Sequence, residues 1–178
     1  MKTSLPKTIT SDFLKRLSTL LHCINSIFKN INSGGCGHFA LMLGEKLINH
    51  GYNPEIICLQ KFINDDDIKQ IKENFNLAPD ELMELNQMGA YLNHIMIKCD
   101  GFYIDSTGIY KDISNIYPDF EELGVVSFDK LKSWCNCDDW NNTFDKKQLP
   151  KMERLINKYF DIEITLMKKF KIMVEMVG

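Results

Sequence analysis

Arginine is almost missing from this chain: among its 21 basic residues only Arg16 and Arg154 carry a guanidinium. That scarcity argues against recognition built on bidentate arginine clamps for phosphate or carboxylate groups. Positive charge is not in excess either. The formal net charge is -3, so the broad basic field that gives general affinity for nucleic acid is lacking. No stretch approaches the ~18 uninterrupted apolar residues of a membrane-spanning helix. The opening residues through Lys7 are followed by no apolar run or small-residue cleavage site, so export is not expected and a cytoplasmic location is. Phosphate-loop and dinucleotide glycine signatures are missing. So is the His-x-Glu and Pro-Cys-x-x-Cys combination of a zinc deaminase. The acidic run Asp65, Asp66, Asp67 has no calcium-loop pattern and reads as helix-start charge. Cys135 and Cys137 stand one residue short of zinc spacing, with no second pair to complete a site. No cofactor and no metal are expected, and neither nucleic acid nor membrane is an expected partner.

What is present is an ordinary globular composition: 178 residues, 44% hydrophobic and 25% charged. That length suits one domain over 1–178, with a core large enough to need no disulfide or metal staple. The six cysteines divide by context. Cys23 sits in an apolar helical stripe, and Cys58 and Cys99 lie in strand-like runs, where a free cysteine is a small buried hydrophobe. Cys36 differs, because Gly34, Gly35 and Gly37 surround it.

The hydrophobic pattern predicts a helix from about Ser11 to Lys29, with Phe13, Leu14, Leu17, Leu20, Leu21, Ile24, Ile27 and Phe28 on one face and Thr10 or Ser11 as cap. A glycine-rich turn leads into a second helix, about Cys36 to Asn49, stopped by Gly51. Glu55 to Leu59 reads as a strand. Residues 62–88 are polar and helical in tendency. Tyr91 to Cys99 and Phe102 to Asp105 read as a hairpin about Asp100-Gly101, the strongest short hairpin signal. Val125 to Phe128 offers an edge strand. Residues 150–177 carry helical spacing through Met152, Leu155, Ile156, Tyr159 and Phe160, although Phe160, Ile162, Ile164 and Leu166 also alternate as a strand would.

A cysteine at a helix start meets free backbone N–H groups and the positive end of the dipole, which favour thiolate, the nucleophilic form. The same N–H groups could receive an oxyanion. A two-residue turn at Asp100-Gly101 pairs Cys99 with Phe102, Lys98 with Tyr103, Ile97 with Ile104 and Met96 with Asp105. Alternation then puts Ile95, Ile97, Cys99, Phe102 and Ile104 on a core face. His94, Met96, Lys98, Tyr103, Asp105 and Thr107 share the other face. His94 and Asp105 become diagonal neighbours, close enough for the carboxylate to orient the imidazole. With Cys36 they make a candidate Cys-His-Asp triad. His38 lies two residues past Cys36 and points elsewhere, while His22 falls in the first helix and His50 near a helix end, where a cation suits the dipole.

The segments Gly34-Gly35-Cys36-Gly37-His38-Phe39-Ala40, Asn93-His94-Ile95-Met96-Ile97 and Gly101 to Gly108 resemble the papain-like and transglutaminase-like cysteine enzyme superfamily. The resemblance covers about residues 33–108 and is nearer the transglutaminase-like branch in order and in its Asp. It implies an α+β domain with helices packed on a small antiparallel sheet, to which the hydrophobic spacing adds N-terminal and C-terminal helices outside the resemblance. It implies Cys36 as nucleophile, His94 as general base and Asp105 as orienting acid, with Asn32 as the nearest counterpart of the amide that precedes the papain cysteine. The expected activity is that of a thiol-dependent hydrolase (a cysteine peptidase) or an acyltransferase. It would act on an amide of a peptide, a protein or a glutamine side chain through a Cys thioester. Two alternatives stand beside it: a catalytically idle binding protein on the same scaffold, and a structural protein in which Cys36 is simply buried.

Overall fold

The computed structural model describes residues 6–28, 31–62, 91–136 and 144–162. The helical tendency expected over 62–88 falls, from residue 63 on, outside the described residues, as do Cys137 and everything past 162.

Helix α1 spans Ser11–Ile27 and is capped by Thr10, whose side chain accepts from the Phe13 N–H at 3.2 Å. Its buried face is Phe13, Leu17, Leu20, Leu21 and Ile24, each stabilising the fold by about 1.5–3 kcal/mol when fully withdrawn from water. The helix ends two residues earlier than the pattern predicts, so Ile27 is 41% exposed while Phe28, already extended, is buried. Cys23 faces solvent rather than the stripe, which corrects its reading as a buried hydrophobe.

A π-helical turn, Ile31–Gly35, runs directly into helix α2, Cys36–Asn49. Gly35 is required by close approach: a Cβ there would lie 2.8 Å from the Phe144 ring. Helix α2 stops as expected, the Gly51 N–H donating to the Ile48 carbonyl at 2.9 Å with Gly51 at φ +86.

Five antiparallel strands follow: β1 Glu55–Phe62, β2 Tyr91–Cys99, β3 Phe102–Ile104, β4 Ile109–Tyr110 and β5 Glu121–Val126, in the spatial order β4-β3-β2-β1-β5. Antiparallel pairing runs through every neighbour. The hairpin register agrees with the sequence reading at Cys99↔Phe102, Lys98↔Tyr103 and Ile97↔Ile104. Asp100 and Gly101 take φ of 51° and 79°, the doubly left-handed turn whose twist matches the flanking strands. Pairing ends at Ile97↔Ile104, so β3 is one residue shorter than Phe102 to Asp105, the expected Met96–Asp105 pair does not form, and Asp105 lies just past the strand. The edge strand begins and ends earlier than Val125 to Phe128. Ser127 interrupts it, its hydroxyl accepting from the Lys130 N–H at 3.2 Å, and Phe128 opens helix α3, Phe128–Asn136.

The main core lies between α1, α2 and one sheet face. It includes Phe39, Ala40, Leu43 and Leu47 from α2, Ile56 and Cys58 from β1, and Ile95, Ile97, Cys99 and Ile104 from β2 and β3. Met152, Ile156 and Phe160 join it from a helical segment over 149–162, so the alternating strand pattern does not apply at Phe160 and Ile162. The opposite sheet face is also covered. Ile57, Leu59 and Met96 are fully buried there beneath Tyr103, Tyr110, Ile113, Tyr117 and Phe120. No helix among the described residues is long and apolar enough to cross a membrane.

Candidate active site

Cys36 opens α2, but the π-helical turn before it continues the helical backbone upstream. Its sulfur therefore depends on particular donors rather than on a fully open helix end. Burial works to raise the thiol pKa. Hydrogen bonding to His94, the imidazolium charge and backbone hydrogen bonds from Ile95 and Gly37 outweigh burial and hold the thiol below its usual range. The residue is only 5% exposed.

Register explains how a thiol on the helix-bearing side meets a histidine of the other face. His94 pairs with Leu59, and its face neighbour Met96 pairs with Ile57, both on the second face. Pairing of β3 with β2 stops at Ile97↔Ile104, leaving the flank of β2 open beside His94 and Ile95. There the Ile95 N–H and the His94 ring both reach Cys36.

His94 is 3% exposed, and its Nε2 lies 3.1 Å from Asp105 Oδ2. With Nε2 committed to the carboxylate, Nδ1 is the nitrogen left for the thiol. Burial pushes the imidazole down, but the hydrogen bonds to Asp105 and Cys36 and the charges of both raise it to about 9. Cys36 and His94 are therefore shifted in opposite directions, as a thiolate–imidazolium pair requires.

Asp105 is fully buried. Its Oδ1 accepts from the Thr107 N–H at 2.7 Å, the Thr107 hydroxyl at 2.6 Å and the Gly108 N–H at 3.0 Å. This is an Asx-type turn, the reason the Asp-Ser-Thr-Gly sequence bends here. Burial favours the neutral acid, yet the donors His94, Thr107 and Tyr117 hold the carboxyl below its usual range. Beside it, the buried Ser106 hydroxyl donates to Asn32 Oδ1 at 2.7 Å. That bond ties the turn to the segment preceding Cys36.

Tyr117 was not visible as a site residue in the sequence. Its hydroxyl donates to Asp105 Oδ2, and its ring centroid lies 4.8 Å from that of His94. No periodicity or motif marks it, because it sits in a turn-rich segment twelve residues beyond its partner.

The remaining candidates stand apart. Burial, then the charge at Cys36, pushes Cys58 up and Cys135 to about 12, while burial takes Cys99 to about 11. His38 is buried, and desolvation followed by the Lys146 charge lowers its pKa. His22 is exposed, and His50 Nδ1 lies 2.7 Å from the Lys46 carbonyl oxygen. Among the described residues no cluster of three or more His, Cys, Asp or Glu side chains could hold a metal ion. No protein-family model, curated protein or solved structure matches the chain.

Proposed function

We propose that this protein is a thiol-dependent hydrolase or acyltransferase, with a papain-like/transglutaminase-like core, acting on an amide of a peptide or protein substrate. The observation that carries the reading is the continuous Cys36–His94–Asp105 hydrogen-bonded chain, with the thiol shifted down and the imidazole up. Cys36 sulfur attacks the amide carbon, and its electron pair moves onto the carbonyl oxygen. The imidazolium of His94 gives its proton to the departing nitrogen as the C–N bond breaks, leaving a thioester. Neutral His94 then takes a proton from water or from an amine acceptor, which attacks the thioester and releases the thiol. Asp105 keeps the ring in one orientation and supports its charge through both halves. Asn32, whose Oδ1 accepts from the Ser106 hydroxyl, keeps its amide NH2 as a donor for the oxyanion.

The second reading is an idle binding protein on the same scaffold, favoured by the low exposure of Cys36. Labelling by iodoacetamide at mildly acidic pH separates the two. Rapid modification of Cys36, abolished by His94→Ala, is the expected result. Slow labelling that His94→Ala leaves unchanged rejects the activated thiolate. Mass spectrometry of Cys36 after incubation with a lysate would then reveal an acyl adduct and the substrate class.

A further inference from the structure

We propose that Tyr117 is a positioning residue of this triad, acting on His94 through Asp105. The inference rests on the functional reading above and extends it to a residue outside the three. Two donors converge on Asp105 Oδ2, His94 Nε2 at 3.1 Å and the Tyr117 hydroxyl. Three others fill Oδ1. A carboxylate with both oxygens so occupied cannot rotate, which gives the imidazole one direction in which to bond. The Tyr117 ring adds a wall, tilted 31° to the imidazole plane, and Phe120 meets that ring edge-on with centroids 5.5 Å apart. The Tyr117 N–H donates to the Ile113 carbonyl at 2.7 Å, so the ring is carried on a closed turn.

Sharing Oδ2 has an electronic consequence. Each donor draws density from the oxygen, so the hydroxyl weakens the Asp105–His94 bond relative to an unshared carboxylate. The imidazolium is thereby kept from becoming too poor an acid to release its proton to a leaving group. Among the described residues, the ionisable groups facing this cluster are Cys36 from α2, His94 from β2, Asp105 from the turn after β3 and Tyr110 from β4. Burial, and next the Asp105 charge, push the Tyr117 hydroxyl up, so it remains a donor throughout the working range.

The test uses the full chain and the pH profile of Cys36 alkylation by iodoacetamide, resolved by peptide mass spectrometry. Wild type shows a low-pH limb from thiolate formation and an upper inflection from the imidazolium. Tyr117→Phe keeps the ring and removes the donor, and the upper inflection moves up by about half a pH unit or more. In an Asp105→Ala background the same change shifts nothing, because the hydroxyl has no carboxylate to hold. Fluorotyrosine at position 117, a stronger donor with the same shape, moves the inflection down and covers the case in which Phe disturbs folding. A Tyr117→Phe profile superposing on wild type, or an equal shift without Asp105, overturns the proposal. A wild-type profile with only the ordinary thiol limb overturns the triad itself, and shows before any substitution at Tyr117 is made. The titration of His94 followed by NMR in Cys36→Ser protein supplies a second readout, with the same upward shift expected on Tyr117→Phe.

Discussion

Unfolding free energies of wild type and Cys36→Ser, measured by urea titration from about pH 5 to 9 under reducing conditions, report the charge state of the Cys36–His94 pair without any substrate. His94 stands at about 9 in the folded chain against 6.5 for free imidazole, and Cys36 stands below the 9.0 of a free thiol. A folded pKa raised above the unfolded value contributes stability that is complete below pH 6.5 and lost as pH rises through about 9. A folded pKa held down, as at Cys36, contributes stability that is complete above about pH 9 and lost as pH falls through its folded value. Between these limits the two slopes oppose each other. Wherever Cys36 is a thiolate in that window, the folded pair binds one proton, on the imidazole. The unfolded chain also binds one, on the thiol. Equal proton counts give no slope, so the pair leaves wild-type stability flat there.

Cys36→Ser removes one side of that balance. Asp105 keeps its hydrogen bond to His94 in the variant, while burial still pushes the imidazole down and the upward pull of the Cys36 hydrogen bond and charge is lost. With Asp105 alone holding the imidazole above 6.5, the folded variant keeps a proton that the unfolded chain has given up, and its stability falls as pH rises above 6.5. One proton of difference corresponds to a slope of about 1.4 kcal/mol per pH unit. The remaining ionisable groups are common to both proteins, so the wild-type minus variant difference grows by up to about 1.4 kcal/mol over the first unit above pH 6.5. Parallel curves would refute the reasoning: either Cys36 enters the folded state as a protonated thiol, or Asp105 alone does not hold the imidazole charged, and the NMR titration of His94 in Cys36→Ser separates the two.

Asp105→Asn puts an amide nitrogen where one oxygen now receives a donor. With the Thr107 and Gly108 N–H groups retaining Oδ1, the amide NH2 faces His94 and forces the tautomer with Nδ1 protonated. Cys36 alkylation near pH 6 is expected to fall at least about tenfold, equivalent to about 1.4 kcal/mol or more. Gly44→Ala sets a Cβ 2.7 Å from the Phe128 ring and should cost about 1–3 kcal/mol in urea unfolding, with the α2–α3 contact giving way. Gly101→Ala meets no atom within 4 Å but must hold φ near +79, so its cost is backbone strain alone, about 1 kcal/mol. The two glycine variants separate in crystal structures: the first moves Phe128, and the second moves nothing beyond the turn.

Local chemistry made parts of this fold readable. The Asp100-Gly101 turn fixed a register that placed His94 to Cys99 on their faces, and the glycine after α2 marked its end because only the last turn's carbonyls needed it. Readability failed where a residue's role depends on chain distant in sequence. Leu59 and Met96 are buried because the segment carrying Ile113, Tyr117 and Phe120 folds over them, and nothing in their own spacing reveals a second covered face. Phe128 fits a strand by hydrophobicity, but the Ser127 cap converts it to the first residue of a helix. Cys23 adjoins the apolar stripe in sequence but lies about 100° around the helix from the centre of the buried Phe13, Leu17, Leu20, Leu21 and Ile24 face, and it is exposed.

The six-cysteine composition shows why residue type alone does not single out a candidate nucleophile. Cys36, Cys58, Cys99 and Cys135 are all buried in one core, and burial alone would raise every one of their thiols. Three of them do rise. Cys36 alone is reversed, because the β2–β3 ladder ends one residue before Asp105 and thereby opens the flank through which the Ile95 N–H and His94 reach its sulfur. The length of β3 therefore governs which donors reach the Cys36 sulfur. Extending its pairing with β2 past Ile104 would engage the Ile95 N–H in the sheet and deprive Cys36 of a donor, while the turn that stops it, Asp105 to Gly108, is the same turn that holds the carboxylate against His94.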